Sequence, residues 1–594
     1  MAYFTSIGLG STLLPGVLWA QLRQQQQPEI TKETVAAAEE ISDLQFTDEQ
    51  REAIAEGLRA LPSEIEQLHR EPIDMSVFPA IVFEPVPPGE KLPAKTKAPM
   101  RRSHVPIRSR PGSVDELAYA PVTELSEMVR TRKVKPSELT EMYLSRLKRY
   151  DSQLHFVITL TEERARRQAS DLDAEIARGH YRGPLHGIPW GAKDLLAVKG
   201  YPTTWGALPY KNQMLAYDAT VVDRLDHAGA ILIAKLTLGA LAQGDVWFGE
   251  RTRNPWNPAT GSSGSSAGPA SATAAGCVGF SIGSETNGSI TSPSRTCGVT
   301  GFRPTFGRVP RTGAMALSWT TDKLGPICRS AEDCALVFDA IYGPDGYDYS
   351  VKDYAFNWNS NVSASKLRIG YFKTSNGRDL FQRRDRSGAM VPNTEALNVL
   401  RVLESLGAKP VEVEDPTPSG GYLDDFILRG ESGAAFQAPT LAGALDVMMR
   451  GRTEFPSTWP DYFRAAQFYS AADYVNANRA RTLLCKKWWA LFRDYDVILS
   501  PQENTSVTNV VGTPSIVVPT GFALPVPFDG RGGRGRGTTA DSSRTASVPP
   551  APVLPLPTWM YIMGPIYEDE KILAVAHAFQ SATDFHRKHP PQFA

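Results

Sequence analysis

The sequence predicts an α/β layered domain, and two observations carry that prediction. Short apolar runs typical of buried strands recur along the chain, at 230-AILIAK-235, 278-VGFSIG-283, 367-LRIGYF-372, 496-DVILS-500 and 515-SIVVP-519. Helical stretches lie between them, for example 393-NTEALNVLRVLESLGA-408, which Gly407 ends. Strands that alternate with helices are typical of a sheet covered by helices.

The segment before this domain divides into two parts. Residues 1–22 carry no charge and resemble the apolar core of an export signal, although the basic residues that normally precede such a core are missing. Residues 1–27 are therefore either the remnant of a signal or an apolar arm, and they are short for a membrane span. The first alternative implies a periplasmic or secreted protein, and the second a cytoplasmic one.

An N-terminal extension follows at residues 28–112. Its first half is acidic and helical in pattern, with Thr47 as a helix N-cap. From Pro72 to Pro111 the chain is rich in proline, which favours an extended arm lying over a domain. The main domain is expected at 113–594, beginning with a helix that Pro136 opens.

Low complexity marks a second special segment, residues 529–557. Its arginines lack interleaved aromatic residues, so the segment reads as a disordered surface loop rather than as an RNA-binding element. The whole chain has a formal net charge of −1, so it lacks the excess of basic residues that is typical of nucleic-acid-binding proteins. Five cysteines without CxxC spacing indicate neither a disulfide scaffold nor a zinc site.

The stretch 261-GSSGSSAGPASATAAGCVGFSIGSETNGSITSPS-294 invites three interpretations. A flexible linker would be polar throughout, whereas here a helical run of small residues and a strand-like run interrupt the serines. A segment of small residues that serves packing alone stays open. The third interpretation takes 264-GSSAG-268 as a nucleophile elbow with Ser266 as the nucleophile.

The elbow interpretation is poorly supported by its surroundings. No apolar strand precedes 264–268, since 254-NPWNPATGS-262 contains two prolines. The histidines that follow are His577, His586 and His589, in a helical pattern and a charged tail. A serine hydrolase without histidine needs another base, and a lysine serves if burial lowers its pKa. Lys193, in the apolar and glycine-rich run 183-GPLHGIPWGAKDLLAVKG-200, is the candidate.

Together these segments resemble the amidase signature family. The motif 187-GIPWGAKD-194 matches its lysine motif, and 288-GSITSP-293 matches its nucleophile motif. The runs 253-RNPWNP-258, 297-CGVTGFRPTFGRV-309, 322-DKLGPICRS-330 and 509-NVVGTPSIVVPTGF-522 also look like the family. The similarity extends from about residue 114 to the end of the sequence and implies an α/β/α fold around a central mixed sheet.

The resemblance also implies a mechanism. Ser289 would be the nucleophile that forms an acyl-enzyme, Ser265 a serine in a cis peptide that relays protons, and Lys193 the base. The backbone N–H groups of Thr286, Asn287, Gly288 and Ser289 would form the oxyanion hole. No cofactor and no metal are expected, and a homodimer is expected from the family.

Three positions depart from the family pattern. Asn287 stands where glycine is common, Thr291 where arginine is common, and Glu285 where aspartate is typical. The missing arginine argues against a substrate with an anionic group, and an apolar or aryl amide is expected instead. Large or polar residues beside the motifs are the predicted substrate-binding set: Trp205, Leu241, Asp245, Trp319 and Trp559.

Other functions remain open. Esters or carbamates would react through the same groups. A glutaminase-type subunit of a tRNA amidotransferase shares the expected core, but the long N-terminal extension argues against it. An inactive amidase-like binding protein would be expected to lose the lysine or a serine, and Lys193, Ser265 and Ser289 are all present.

Overall fold

The computed structural model describes residues 30–70, 73–74, 76–106, 109–375, 377–385, 387–416, 422–448, 459–524 and 554–593. The expected signal-like segment 1–27 and most of the low-complexity segment 529–557 lie outside these residues. The chain divides into two units, one of residues 1–74 with 467–471, and one of residues 75–466 with 472–594.

The first unit contains three helices: α1 (Lys32–Ser42), α2 (Asp48–Gly57) and α3 (Leu61–His69). Thr47 caps α2 as predicted, because its hydroxyl accepts a hydrogen bond from the backbone N–H of Gln50. Arg51 on α2 forms an ion pair with Glu39 on α1 at 2.8 Å, which joins the two helices.

The second unit holds the remaining described helices. They are α4 (Val122–Arg130), α5 (Pro136–Leu154), α6 (Glu162–Ala177), α7 (Thr220–His227), α8 (Ala267–Ala274), α9 (Thr291–Cys297), α10 (Ala331–Ile341), α11 (Thr394–Ser405), α12 (Tyr422–Ala435), α13 (Gln437–Leu441), α14 (Asp461–Ala466), α15 (Ala471–Asp494), α16 (Thr505–Val510) and α17 (Asp569–Ser581). As predicted, Pro136 opens α5, where its missing N–H costs no helical hydrogen bond.

The strands of this unit are β1 (Val157–Leu160), β2 (Pro189–Lys193), β3 (Ile231–Leu236), β4 (Arg253–Asn254), β5 (Asn257–Gly261), β6 (Phe280–Glu285), β7 (Thr300–Arg303), β8 (Lys323–Cys328), β9 (Ile369–Phe372), β10 (Thr374–Ser375), β11 (Arg378–Asp379), β12 (Gln382–Arg384), β13 (Met390–Pro392), β14 (Val411–Val413), β15 (Val497–Ser500), β16 (Ser515–Ala523) and β17 (Leu556–Met563).

Eleven of these strands form one sheet, in the order β1-β3-β2-β6-β8-β7-β16-β17-β15-β9-β14. The sheet is mixed, because β2 pairs in parallel with both β3 and β6 whereas β6 pairs antiparallel with β8. Every residue of β2, β3, β6 and β8 is buried, as expected of central strands covered on both faces. The predicted α/β fold with a central mixed sheet is confirmed.

An extended segment, residues 76–103, runs along the second unit, and we call it the arm. The ring of Phe83 packs on Phe306 with centroids 5.2 Å apart. The carbonyl of Pro93 accepts a hydrogen bond from the hydroxyl of Tyr354 at 2.7 Å. We call the unit that contains the eleven-stranded sheet the sheet domain, and the arm adds side chains to its surface.

The cysteines and the lengths of the helices in the described residues are also relevant to function. All five cysteines are buried and free, so they pack as small apolar residues. Across the described part of the chain, none of the helices combines the length and the apolar character that a membrane span requires.

Candidate active site

Lys193 ends β2, an interior strand of the sheet, and is fully buried. Its amine lies 2.7 Å from the hydroxyl oxygen of Ser265, 3.1 Å from that of Ser266 and 2.9 Å from that of Ser284. Burial lowers the pKa of Lys193 well below that of free lysine, and the negative charges of Asp322 and Glu285 oppose this only in part. The site therefore favours a neutral amine among hydroxyl groups.

Ser265 lies in a tight turn just before helix α8. The peptide bond between Gly264 and Ser265 is cis, as the family resemblance implies for this position. A side chain at 264 would meet the carbonyl oxygen of Gly244 at 1.9 Å, so this close approach of two backbone segments requires glycine. The turn holds the Ser265 hydroxyl, which is almost completely buried, beside the lysine amine.

Ser289 lies in the loop that leads from β6 into helix α9, and it is half-buried. Its carbonyl accepts a hydrogen bond of 3.0 Å from the backbone N–H of Ser266, which ties this loop to the turn at 264–265. Within the described residues, no hydrogen bond joins the hydroxyls of Ser289 and Ser265. The main chain thus joins the loop that carries Ser289 to the turn that carries Ser265.

The loop residues before Ser289 present backbone donors. Gly288 has a φ of +80°, a conformation that favours glycine. Among the described residues, the N–H groups of Asn287, Gly288 and Ser289 have no hydrogen-bond acceptor. Backbone N–H groups that have no protein acceptor are available to a developing negative charge.

A buried carboxylate, Glu285, fixes the start of helix α9. It accepts hydrogen bonds from the backbone N–H groups of Ile290 at 2.8 Å and Thr291 at 2.9 Å. Burial alone would raise the pKa of Glu285, but the guanidinium of Arg303 at 2.7 Å and the hydrogen bonds hold it below its usual range. Glu285 thereby orders the loop that carries Ser289.

Side chains from distant segments complete the loop. The carboxylate of Asp322 accepts hydrogen bonds from the Thr286 hydroxyl at 2.6 Å and from the backbone N–H of Leu317 at 2.8 Å. Asn287 donates to Asp424 on α12 at 2.7 Å. Sequence reasoning missed both partners. Asp322 opens the quoted motif 322-DKLGPICRS-330, so its position carried a signal, whereas nothing in the sequence marks Asp424.

A cavity of about 40 Å³ adjoins the site. Its lining includes Ser284, whose hydroxyl is 2.9 Å from the Lys193 amine, together with Thr286 and Trp319. The rest of the lining is mainly apolar and comes from several loops, from strand β8 and from the arm, including Leu195, Ala242, Met315, Leu317, Leu324 and Phe78. Of the five predicted substrate-binding residues, the structure brings only Trp319 to this cavity.

The other predicted substrate-binding residues have contacts elsewhere. Trp205 packs on Tyr210, with centroids 4.4 Å apart, and its carbonyl accepts a hydrogen bond from the N–H of the fully buried Leu241. The carboxylate of Asp245 accepts a hydrogen bond from the backbone N–H of Ser263 at 3.1 Å, next to the cis turn. The indole of Trp559 donates to a carbonyl at 3.1 Å. Their roles in binding stay predictions.

No group of three or more histidine, cysteine, aspartate or glutamate side chains suited to a metal ion occurs in the described part of the chain. The chemistry available to this arrangement is that of a neutral amine, serine hydroxyls and backbone donors.

Comparison with known proteins gives the family. The sequence profile named Amidase matches residues 138–573. A glutamyl-tRNA(Gln) amidotransferase subunit from Bacillus velezensis is 32% identical over 518 residues, covering 79% of this chain and 98% of the relative. The corresponding subunit from Geobacillus thermodenitrificans is 31% identical over 516 residues, with the same coverage.

Solved structures agree with this result. The peptide amidase from Stenotrophomonas maltophilia superposes with a TM-score of 0.63 at 26% identity, over 79% of this chain and 97% of that one. A bacterial aryl acylamidase of the amidase signature family has a TM-score of 0.64 at 22% identity, over 80% and 98%, which shows a shared fold. The chain belongs to the amidase signature family and is an enzyme that acts on amide C–N bonds.

Proposed function

We propose that this enzyme hydrolyses carboxylic amides through an acyl-enzyme on Ser289, with Lys193 as the base and Ser265 as the proton relay. The observation that carries the proposal is the fully buried amine of Lys193, 2.7 Å from the Ser265 hydroxyl. Among the described residues, no carboxylate contacts this amine directly. A neutral amine in that position accepts a proton, which an ammonium group cannot do.

In the first half of the reaction, the Ser289 oxygen bonds to the amide carbon. Its proton passes to Ser265, and the Ser265 proton passes to Lys193. The carbonyl oxygen becomes an oxyanion, which the N–H groups of the 286–289 loop stabilise. As the C–N bond breaks, Ser265 gives a proton to the leaving nitrogen and regains one from Lys193. Water then hydrolyses the ester on Ser289 by the same proton path.

The cavity supports an uncharged substrate. Among the described residues that line it, Arg311 is the only cation, and Asp348 already engages it through hydrogen bonds of 2.8 and 3.0 Å. Asp322, the only carboxylate in that lining, accepts hydrogen bonds from Thr286 and from two backbone N–H groups. Because both charges are already engaged and the remaining wall is mainly apolar, an apolar or aryl amide fits better than a charged one. Esters and carbamates of similar shape would react in the same way.

The curated relatives favour a second candidate, since both are named as subunits of an amidotransferase. A glutaminase subunit would release ammonia from glutamine, whose amino and carboxylate groups need counter-charges. Turnover of glutamine and of an uncharged anilide therefore separates the two candidates. We expect anilide turnover and no measurable release of ammonia from glutamine. The opposite result would favour the amidotransferase role.

The proton relay predicts non-additive mutations. Lys193→Ala and Ser289→Ala should each reduce kcat on an anilide by about 10³–10⁶-fold, and the double variant should lose little more, because the groups act as one unit. Steady-state kinetics on the three variants checks this.

Ser266→Ala is the matched control for that experiment. The Ser266 hydroxyl donates to the carbonyl of Ser284 at 3.1 Å and lies 3.1 Å from the Lys193 amine, but the proposed relay passes no proton through it. We expect a much smaller loss than for Ser289→Ala. If Ser266→Ala abolished labelling by a fluorophosphonate while Ser289→Ala left it intact, Ser266 would be the nucleophile and the proposal would be wrong.

A further inference from the structure

We propose that Phe78, on the arm, sets the size of the amide substituent that the candidate active site accepts. The proposal rests on the proposed function, because it concerns the same site. Phe78 lies more than a hundred residues before Lys193, yet it lines the same cavity as Ser284 and Thr286. The Ser284 hydroxyl is 2.9 Å from the amine of Lys193. The arm thus reaches the space beside the reacting groups.

A series of contacts between rings and guanidinium groups connects Phe78 to the rest of the unit. The guanidinium of Arg311 lies 5.1 Å from the centroid of Phe78 and 5.1 Å from that of Phe306, so it is sandwiched between the two rings. On its other side Phe306 packs on Phe83, which the guanidinium of Arg481 covers at 3.3 Å. Phe78 is therefore coupled to the anchored part of the arm.

The backbone at this point is also restricted. Pro79 follows Phe78, and a residue before proline is confined to extended conformations. Arg311 itself is fixed by Asp348 and donates to the hydroxyl of Ser350 at 2.9 Å, so the platform under the Phe78 ring does not move freely. A rigid ring on a rigid platform makes a wall of defined position.

The cavity volume agrees with a wall that limits size. At about 40 Å³ the cavity is far smaller than the roughly 300–1,000 Å³ of ordinary small-molecule sites. The neighbouring residues Ala242, Ala314 and Ala316 contribute small side chains, whereas Phe78 and Trp319 contribute large ones. Shortening Phe78 therefore enlarges the space for the substrate more directly than a change in the small residues.

The test compares Phe78→Ala and Phe78→Leu with Val77→Ala, a matched control on the neighbouring residue, which is 57% exposed and does not line the cavity. Two series of uncharged amides are used, anilides with acyl groups of increasing size and acetamides with amines of increasing size. We expect Phe78→Ala to raise the ratio of kcat/KM for large over small substrates by about tenfold or more in one series, with Phe78→Leu between it and the parent. Val77→Ala should leave the ratio unchanged.

Binding gives a readout that does not need turnover. In a Ser289→Ala background, calorimetric titration with the same amides should show the same change in the ratio of affinities on Phe78→Ala. If neither series changes its ratio in this background, the proposal is overturned. If the affinity ratio changes but the parent enzyme hydrolyses none of the amides, the size limit stands and the proposed function fails.

Discussion

At the scale of single residues, burial of Lys193 predicts how the enzyme responds to pH. The amine must be neutral to act as a base, and burial lowers its pKa well below that of free lysine. We expect kcat/KM to fall as the pH drops through this lowered pKa and to reach a plateau above it. A pH profile of anilide hydrolysis measures this, and a profile that rises on acidification would contradict it.

The same residue links pH to stability. In the unfolded chain Lys193 regains an ordinary pKa, so the unfolded state binds more protons than the folded state between the two pKa values. The contribution of Lys193 to the free energy of unfolding therefore rises with pH across that window. Lys193→Met should lack this dependence, which urea titrations at several pH values can compare with the parent.

Part of the geometry around Lys193 could be predicted from the sequence. Sequence motifs single out Lys193, Ser265 and the 286–289 loop. In the structure the Lys193 amine contacts the Ser265 hydroxyl, and a backbone hydrogen bond joins residues 266 and 289. Ser284 and Asp322 were not recognised, because their roles arise from pairing between β6 and the segment that enters β8. Contacts across a sheet depend on register, which single motifs do not carry.

At the scale of elements, helix α12 is fastened to the wall of the cavity through Glu431. This buried carboxylate accepts hydrogen bonds from the hydroxyls of Ser318 and Thr320, both at 2.6 Å, and from the hydroxyl of Tyr474 on α15 at 2.8 Å. The bonds surround Trp319, which lines the cavity. One carboxylate therefore joins two helices to the loop beside the site.

Glu431→Gln tests this connection. An amide offers one acceptor oxygen in place of two, so we expect the free energy of unfolding to fall by about 2–3 kcal/mol. The KM for an uncharged amide should rise as well, since the loop carrying Trp319 loosens. Tyr474→Phe is the control, because it removes one of these hydrogen bonds, and it should cost about 1 kcal/mol. Equal losses for both variants in urea titrations would contradict this role of Glu431.

Predictability differed between elements for physical reasons. The run 230–235 became β3 and the run 515–519 became the first half of β16, because buried strands are long apolar runs that stand out. The predicted strand at 278–283 begins two residues before β6 does. No sequence pattern marks Phe78, because its contacts depend on where the irregular arm packs on the rest of its unit.

At the scale of the whole molecule, Phe593 joins the last described residues to helix α5 and to the segment before α4. Its carbonyl accepts hydrogen bonds from the Arg146 guanidinium at 2.5 Å and from the Tyr119 hydroxyl at 2.6 Å. Its fully buried ring meets Tyr150 edge-on, with centroids 5.1 Å apart. The sheet domain is thus closed by contacts between residues far apart in sequence.

Phe593→Ala should therefore destabilise the whole domain. Removing a fully buried aromatic ring costs about 3–5 kcal/mol, which we expect as a lower midpoint of urea unfolding. Gln592→Ala, which loses one hydrogen bond of 2.9 Å to the carbonyl of Pro255, is the neighbouring control and should cost about 1 kcal/mol. A loss at Phe593 no larger than at Gln592 would show that this closure contributes little.

The sequence predicts the division of the chain into units less well than it predicts single strands and helices. The expected boundary at residue 112 and the expected homodimer stay predictions. The compact unit that contains the sheet begins near residue 75, so the arm belongs to it. A proline-rich composition indicates an extended segment, but it does not indicate which surface that segment covers.

The hydrogen bond from the Ser266 N–H to the Ser289 carbonyl has a practical consequence. It connects the two serine-bearing loops through backbone atoms, which no side-chain replacement removes. Ser289→Ala should therefore keep the backbone conformation of both loops. Such an inactive form is suited to soaking or co-crystallisation with an intact amide, so that the uncleaved compound itself reports which chemical groups the enzyme selects.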